Sequence, residues 1–122
     1  MHLAKFEGTG RLHGLYRFHL NNGAQDGTCL HEWLGHEVFH AAGLPAPRVG
    51  HAIVWLDGKL LGLYVLRESY DKQFVQRVYG SDAGNLYDGG FCQDVDAELE
   101  KDSGDGPDDR ADLQALCELC RG

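Results

Sequence analysis

Residues 12–20, LHGLYRFHL, place Tyr16, Phe18 and Leu20 in alternation with Leu15, Arg17 and His19, the period of a strand with one largely apolar face. A shorter run, LAKF at 3–6, precedes it. NNGAQDG at 21–27 is dense in Asn, Gly and Asp and reads as a turn. Asp26 or Thr28 can then cap a helix running from about Thr28 to Ala42. Leu30, Trp33, Leu34, Val38 and Ala41 share one stripe of that helix, which is expected to face the core. Gly43 and the prolines of LPAP stop it.

Two runs rich in Val, Ile, Leu, Trp and Tyr then flank Asp57-Gly58. Asp-Gly supplies the positive φ angles of a tight hairpin turn, so strands are predicted at 49–56 and 59–67. DKQFVQRVYG predicts a short helix that starts near Asp71 and ends at Gly80. DAGNLYDGG is a loop with a short extended NLY, and residues 93–112 read as a solvated acidic helix and loop. The acidic spacing there does not match the oxygen-ligand pattern of an EF-hand. DDRADLQALCELC closes as an amphipathic helix with Leu113, Leu116, Cys117 and Cys120 on one side. The pattern as a whole predicts an α+β fold, a small antiparallel sheet with packed helices.

The chain has 122 residues, 43% hydrophobic and 10% aromatic, which fits a globular domain. Its net charge of −8 argues against a surface for nucleic-acid backbones or anionic lipid. No apolar run reaches membrane-spanning length, and MHLAKFEGTG lacks the apolar core of a signal peptide. Either the chain is cytoplasmic or it lacks its own N-terminus, and the compartment stays open. Cys117-Glu118-Leu119-Cys120 is a lone C-x-x-C without the second pair that a zinc site needs. Those cysteines are expected to act as small apolar helix residues.

His36-Glu37-Val38-Phe39-His40 matches H-E-x-x-H, in which two histidines on one helix face bind zinc and the glutamate is general base. The extended pattern wants a third histidine six residues after the second, and Ala46 stands there. At about 100° per residue, Glu37 falls near the centre of the apolar stripe and the histidines fall on its flank. Glu37 is therefore expected to turn toward the core, and a zinc-dependent hydrolase is the least favoured reading. No zinc is expected.

The ordered set LNNGAQD, HEWLGHEVFHAAGLPAPR, VWLDGKLLGLYVLRESYDKQFV and GNLYDGG resembles the CotH kinase family, the spore-coat-protein-H-like atypical protein kinases. The likeness covers roughly residues 3–90, with the DDRADLQAL tail a plausible extension. It implies a nucleotide-binding lobe at 1–90, followed at 91–122 by an acidic linker and the start of a second helical lobe. It also implies ATP with Mg²⁺ or Mn²⁺, and Ser/Thr phosphorylation of a protein substrate in the full-length parent. In such a lobe a strand base holds phosphates and a helix carboxylate positions the base. The resemblance nominates Arg17 or Lys5 as the base and Glu37 or Glu32 as the carboxylate. It sets Glu68 near the adenine or in a structural ion pair. The family's catalytic acid and metal ligands come from a later segment with no recognisable counterpart here. The chain thus resembles a fragment that transfers no phosphate alone. A truncated lobe is also expected to expose apolar surface and self-associate. A non-catalytic interaction or scaffold module is the alternative from another class. The family includes spore and envelope proteins.

Overall fold

The computed structural model describes residues 11, 12, 14, 15 and 17–122. Lys5 and the LAKF run lie outside the described residues. The described part is α+β, with small antiparallel sheets and three helices. The chain divides into two compact units, Met1–Tyr70 and Asp71–Gly122.

In the first unit, β1 (Phe18–Asn21), β2 (Val49–Leu56) and β3 (Lys59–Glu68) form one antiparallel sheet in the order β1-β3-β2. The β2–β3 hairpin follows the sequence expectation to within one residue. Asp57 and Gly58 both take positive φ, 49° and 77°, the conformation a two-residue turn requires. The strand expected at 12–20 is shorter: only 18–21 forms a ladder, and Leu12 and Leu15 make an isolated bridge. The register sets Phe18 opposite Glu68 and His19 opposite Arg67. Leu15, Phe18, Cys29, Ala46 and Val65 form the buried apolar core.

Helix α1 (His31–Ala41) lies beside β2, and its phase reverses the expectation. Leu30, Trp33, Leu34 and Val38 are exposed, whereas Glu32, Gly35 and His36 are half-buried. The sheet explains this. The face beneath the helix presents His19, Arg67 and His51, and polar strand positions draw the polar side of α1 inward. Glu37 is consequently exposed and does not turn toward the core.

In the second unit, α2 (Lys72–Tyr79) begins where expected. Asp71 Oδ1 accepts the N–H of Phe74 at 3.0 Å, and Gly80 ends the helix. β4 (Leu86–Asp88) pairs antiparallel with β5 (Glu100–Ser103), a strand the acidic sequence does not announce. α3 (Ala111–Arg121) closes the chain. All four cysteines are free thiols. Among the described residues no helix is long and apolar enough to cross a membrane.

Candidate functional site

The Asn-rich turn between β1 and α1 is built by side chains that bond their own backbone. Asn21 Oδ1 accepts the N–H of Gly23, and Asn22 Oδ1 accepts that of Ala24, both at 3.1 Å. Gly23 has φ 68°, and a Cβ there would stand 2.8 Å from both Asp26 O and Cys29 Sγ, so only glycine fits. Asp26 then organises the helix start. Its carboxylate accepts the Thr28 hydroxyl at 2.6 Å and the His31 N–H at 2.9 Å, with His31 Nδ1 at 2.7 Å. The Thr28 hydroxyl, followed by the His31 N–H, holds this carboxyl well below the usual range. Asp26 is thus the capping residue, acting from five residues before the first helical N–H, and the helix starts at His31 rather than Thr28.

This turn delivers Glu32 to the sheet. Asn21 Nδ2 donates to Glu32 Oε2 at 3.2 Å, and Glu32 Oε1 lies 3.5 Å from Arg67 Nη1. The Arg67 guanidinium also sits over the Tyr70 ring, 5.8 Å from its centroid. Its Nε is buried and, among the described residues, has no hydrogen-bond partner. His19, Asn21, Asn22, Glu32, Tyr64 and Arg67 line an open cleft of about 500 Å³ here. Burial, and then the positive charge of Arg67, lower the pKa of His19 and favour its neutral form. The cleft therefore brings together the Arg67–Glu32 ion pair, the Asn21 and Asn22 amides and an imidazole, with the guanidinium as its cation for an anionic oxygen.

Of the residues nominated from sequence, Glu32 lies in this cleft. Glu37 is exposed on the far side of α1, with His40 Nδ1 at 3.7 Å from Oε1. Arg17 is exposed just before β1. Glu68 is 1% exposed and is bound by Arg48, through its backbone N–H at 3.0 Å and its Nη2 at 3.2 Å. The Glu68 N–H returns a bond to Arg48 O at 2.9 Å, so the pair ties the proline-bearing segment to the end of β3. Arg67 and Asn21 were not nominated, although both sit inside the quoted motifs. The signal for Arg67 was its cross-strand place opposite His19, which needs the register of β1.

His36 Nδ1 donates to the Glu32 carbonyl at 2.7 Å, and His40 Nε2 donates to the Ala46 carbonyl at 3.0 Å. Each ring thus serves the local backbone. Among the described residues no group of three or more His, Cys, Asp or Glu is placed to hold a metal. In the second unit, Asn85 and Tyr87 of GNLY converge on Asp112. Asn85 Nδ2 donates to Asp112 Oδ2 at 2.9 Å, the Tyr87 hydroxyl donates to Oδ1 at 2.7 Å, and Asn85 Oδ1 accepts the Gly106 N–H. This motif latches β4 to the start of α3.

The model of the family described as CotH kinase protein matches residues 3–116 of the chain. No curated protein matches it.

Proposed function

The chain belongs to the CotH kinase family, and from that premise we propose that it carries the phosphate-holding part of a nucleotide-dependent phosphotransferase site. Arg67 is the phosphate-binding cation and Glu32 the carboxylate that positions it. The observation that supports this reading is the buried, unbonded Nε–H of Arg67 in a cleft lined by Asn21 and Asn22. A buried donor without a partner is rare in a folded protein and calls for an occupant. A phosphate oxygen accepts from a guanidinium in a fixed planar geometry, which fits this donor better than a neutral ligand does. The 3.5 Å separation from Glu32 holds the guanidinium without saturating it.

Each neighbouring residue then has a definite task. Glu32 keeps Arg67 from swinging out, Asn21 fixes the Glu32 carboxylate, and Asp26 fixes the helix end that carries it. The neutral form of His19 avoids adding a second cation beside Arg67. ATP, when bound, supplies the transferable phosphoryl group. In the whole protein the reaction is Ser/Thr phosphorylation of a protein substrate with Mg²⁺ or Mn²⁺. The reading assigns no metal ligand within this cleft. Arg67 here takes the part for which Arg17 and Lys5 were nominated, since it is the base that meets Glu32.

Thermal unfolding with ATP tests this directly, because a ligand of the native state raises its stability. At a hundredfold excess over Kd the gain is about 2.7 kcal/mol, or roughly 10 °C in Tm for a domain of this size. Arg67→Met keeps the aliphatic stem and is expected to abolish the shift. No shift in the wild type at millimolar ATP, with or without Mg²⁺, overturns the proposal. The non-catalytic interaction module draws support from a different observation, the uncovered apolar side chains of α1 and the hairpin. It predicts indifference to ATP.

A further inference from the structure

The β2–β3 hairpin leaves an unusual amount of apolar surface in water. Ile53, Trp55, Leu56, Leu60, Leu61 and Leu63 are all exposed, Ile53 by 69% and Trp55 by 62%. At roughly 100 Å² each they present on the order of 600 Å², divided between the two faces of the hairpin because neighbouring strand residues point to opposite sides. A stable dimer needs about 800 Å² from each partner.

β2 is also an edge strand. β3 occupies one side, and among the described residues no strand pairs with the other. Its sequence, VGHAIVWL, is eight residues long and contains no charged residue and no proline. Proteins normally protect such an edge with lysine, proline or a covering segment. The irregularity at Val54/Trp55 puts its extra residue, Leu61, on β3 and inserts none into β2.

We propose that this edge and its apolar patch bind a second copy of the same chain, by antiparallel pairing of β2 with β2 about a two-fold axis at Ile53. The two three-stranded sheets then become one six-stranded sheet. In that register Ile53 faces Ile53 of the second copy, and His51 faces its Trp55, so each face of the sheet continues across the junction. The same register brings Asp57, at the hairpin tip, level with Val49 of the second copy, next to its half-exposed Arg48, and opposite charges meet at both ends. An isologous contact needs this self-complementarity. The inference is independent of the nucleotide reading, since no residue of the cleft takes part.

Sedimentation velocity of the full chain over roughly 1 to 100 µM tests it. The wild type is expected to pass from monomer to dimer with concentration. Ile53→Lys is expected to stay monomeric with an unchanged far-UV circular dichroism spectrum. Leu34→Lys, on the exposed face of α1, is expected to dimerise like the wild type. Hydrogen exchange on the wild type gives a second reading without substitution: β2 amides are expected to gain protection as concentration rises, and α1 amides are not. A wild type that is monomeric throughout, an Ile53→Lys variant that still dimerises, or a dimer broken by Leu34→Lys each overturns the proposal. The last outcome would move the interface to α1.

Discussion

Breaking the Arg48–Glu68 pair from its two ends should cost unequal amounts. Glu68 is 1% exposed, and the Arg48 side chain is 53% exposed. Arg48→Met keeps the aliphatic stem but takes the guanidinium from a buried carboxylate, which water cannot reach. A charge-assisted hydrogen bond contributes about 1.5–3 kcal/mol, and a fully buried pair broken from one side costs about 3–5 kcal/mol. The Arg48 backbone N–H remains on Glu68 Oε2, so the expected loss is about 2–3 kcal/mol. Glu68→Gln instead leaves an exposed guanidinium that rehydrates, and the amide oxygen still accepts the Arg48 N–H. Solvent screening of that end lowers the expected loss to about 1 kcal/mol. Urea unfolding followed by tryptophan fluorescence reports on this unit, because Trp33 and Trp55 both belong to it. With a slope of about 1–2 kcal/mol per molar for a unit this small, Arg48→Met should lower the midpoint by more than about 1 M and Glu68→Gln by about half that. Equal losses, or a larger one for Glu68→Gln, would refute the reasoning from burial.

Two further predictions concern the turn and the latch. Gly23→Ala, with its Cβ against Asp26 O and Cys29 Sγ at positive φ, should cost about 1–3 kcal/mol, whereas Gly35→Ala, in open space within α1, should gain about 0.5–1 kcal/mol; paired melting curves check both. The carboxyl of Asp112 is held below its ordinary value by the Tyr87 hydroxyl and then the Asn85 amide. A lowered folded pKa gives stability that is present above about pH 3.8 and lost as pH falls through the folded value. Acid titration of the helical circular dichroism signal should therefore show a limb that Asp112→Asn removes; an identical acid limb in the variant would contradict the latch. The Tyr87 phenol is raised, first by Asp112, so its share is present below about pH 10 and lost as pH rises through the folded value, a limb that absorbance of the tyrosinate follows.

Where the chemistry is local, the chain was readable. Asp57-Gly58 dictates a hairpin by its φ angles, and Asp71 and Gly80 bracket α2 because cap and stop lie within the segment itself. The phase of α1 was not readable, since hydrophobicity assigns Leu34 and Val38 inward. The partner surface decides otherwise, through Arg67 from β3 and Asn21 from β1. β5, with the sequence Glu-Lys-Asp-Ser, carries no apolar alternation; its position follows from pairing with β4 and from Asn85 accepting the Gly106 N–H. The site shows the same division. The helix carboxylate Glu32 was among the candidates, while the cation that meets it, Arg67, lies on β3 rather than on β1. Glu68 could be nominated, but its ion-pair partner stands twenty residues earlier and only the folded chain reveals it.

On the proposed function, the Arg67 Nε–H receives a phosphate oxygen when ATP binds. The arginine Nε–H resonance of ¹⁵N-labelled protein, assigned by Arg67→Met and followed through an ATP titration, tests it most directly. A saturable shift of that resonance is expected, accompanied by the Asn21 and Asn22 side-chain amides, and lost when adenosine replaces ATP. An Arg67 Nε–H signal unmoved by ATP, or shifts confined to other arginines, would contradict it.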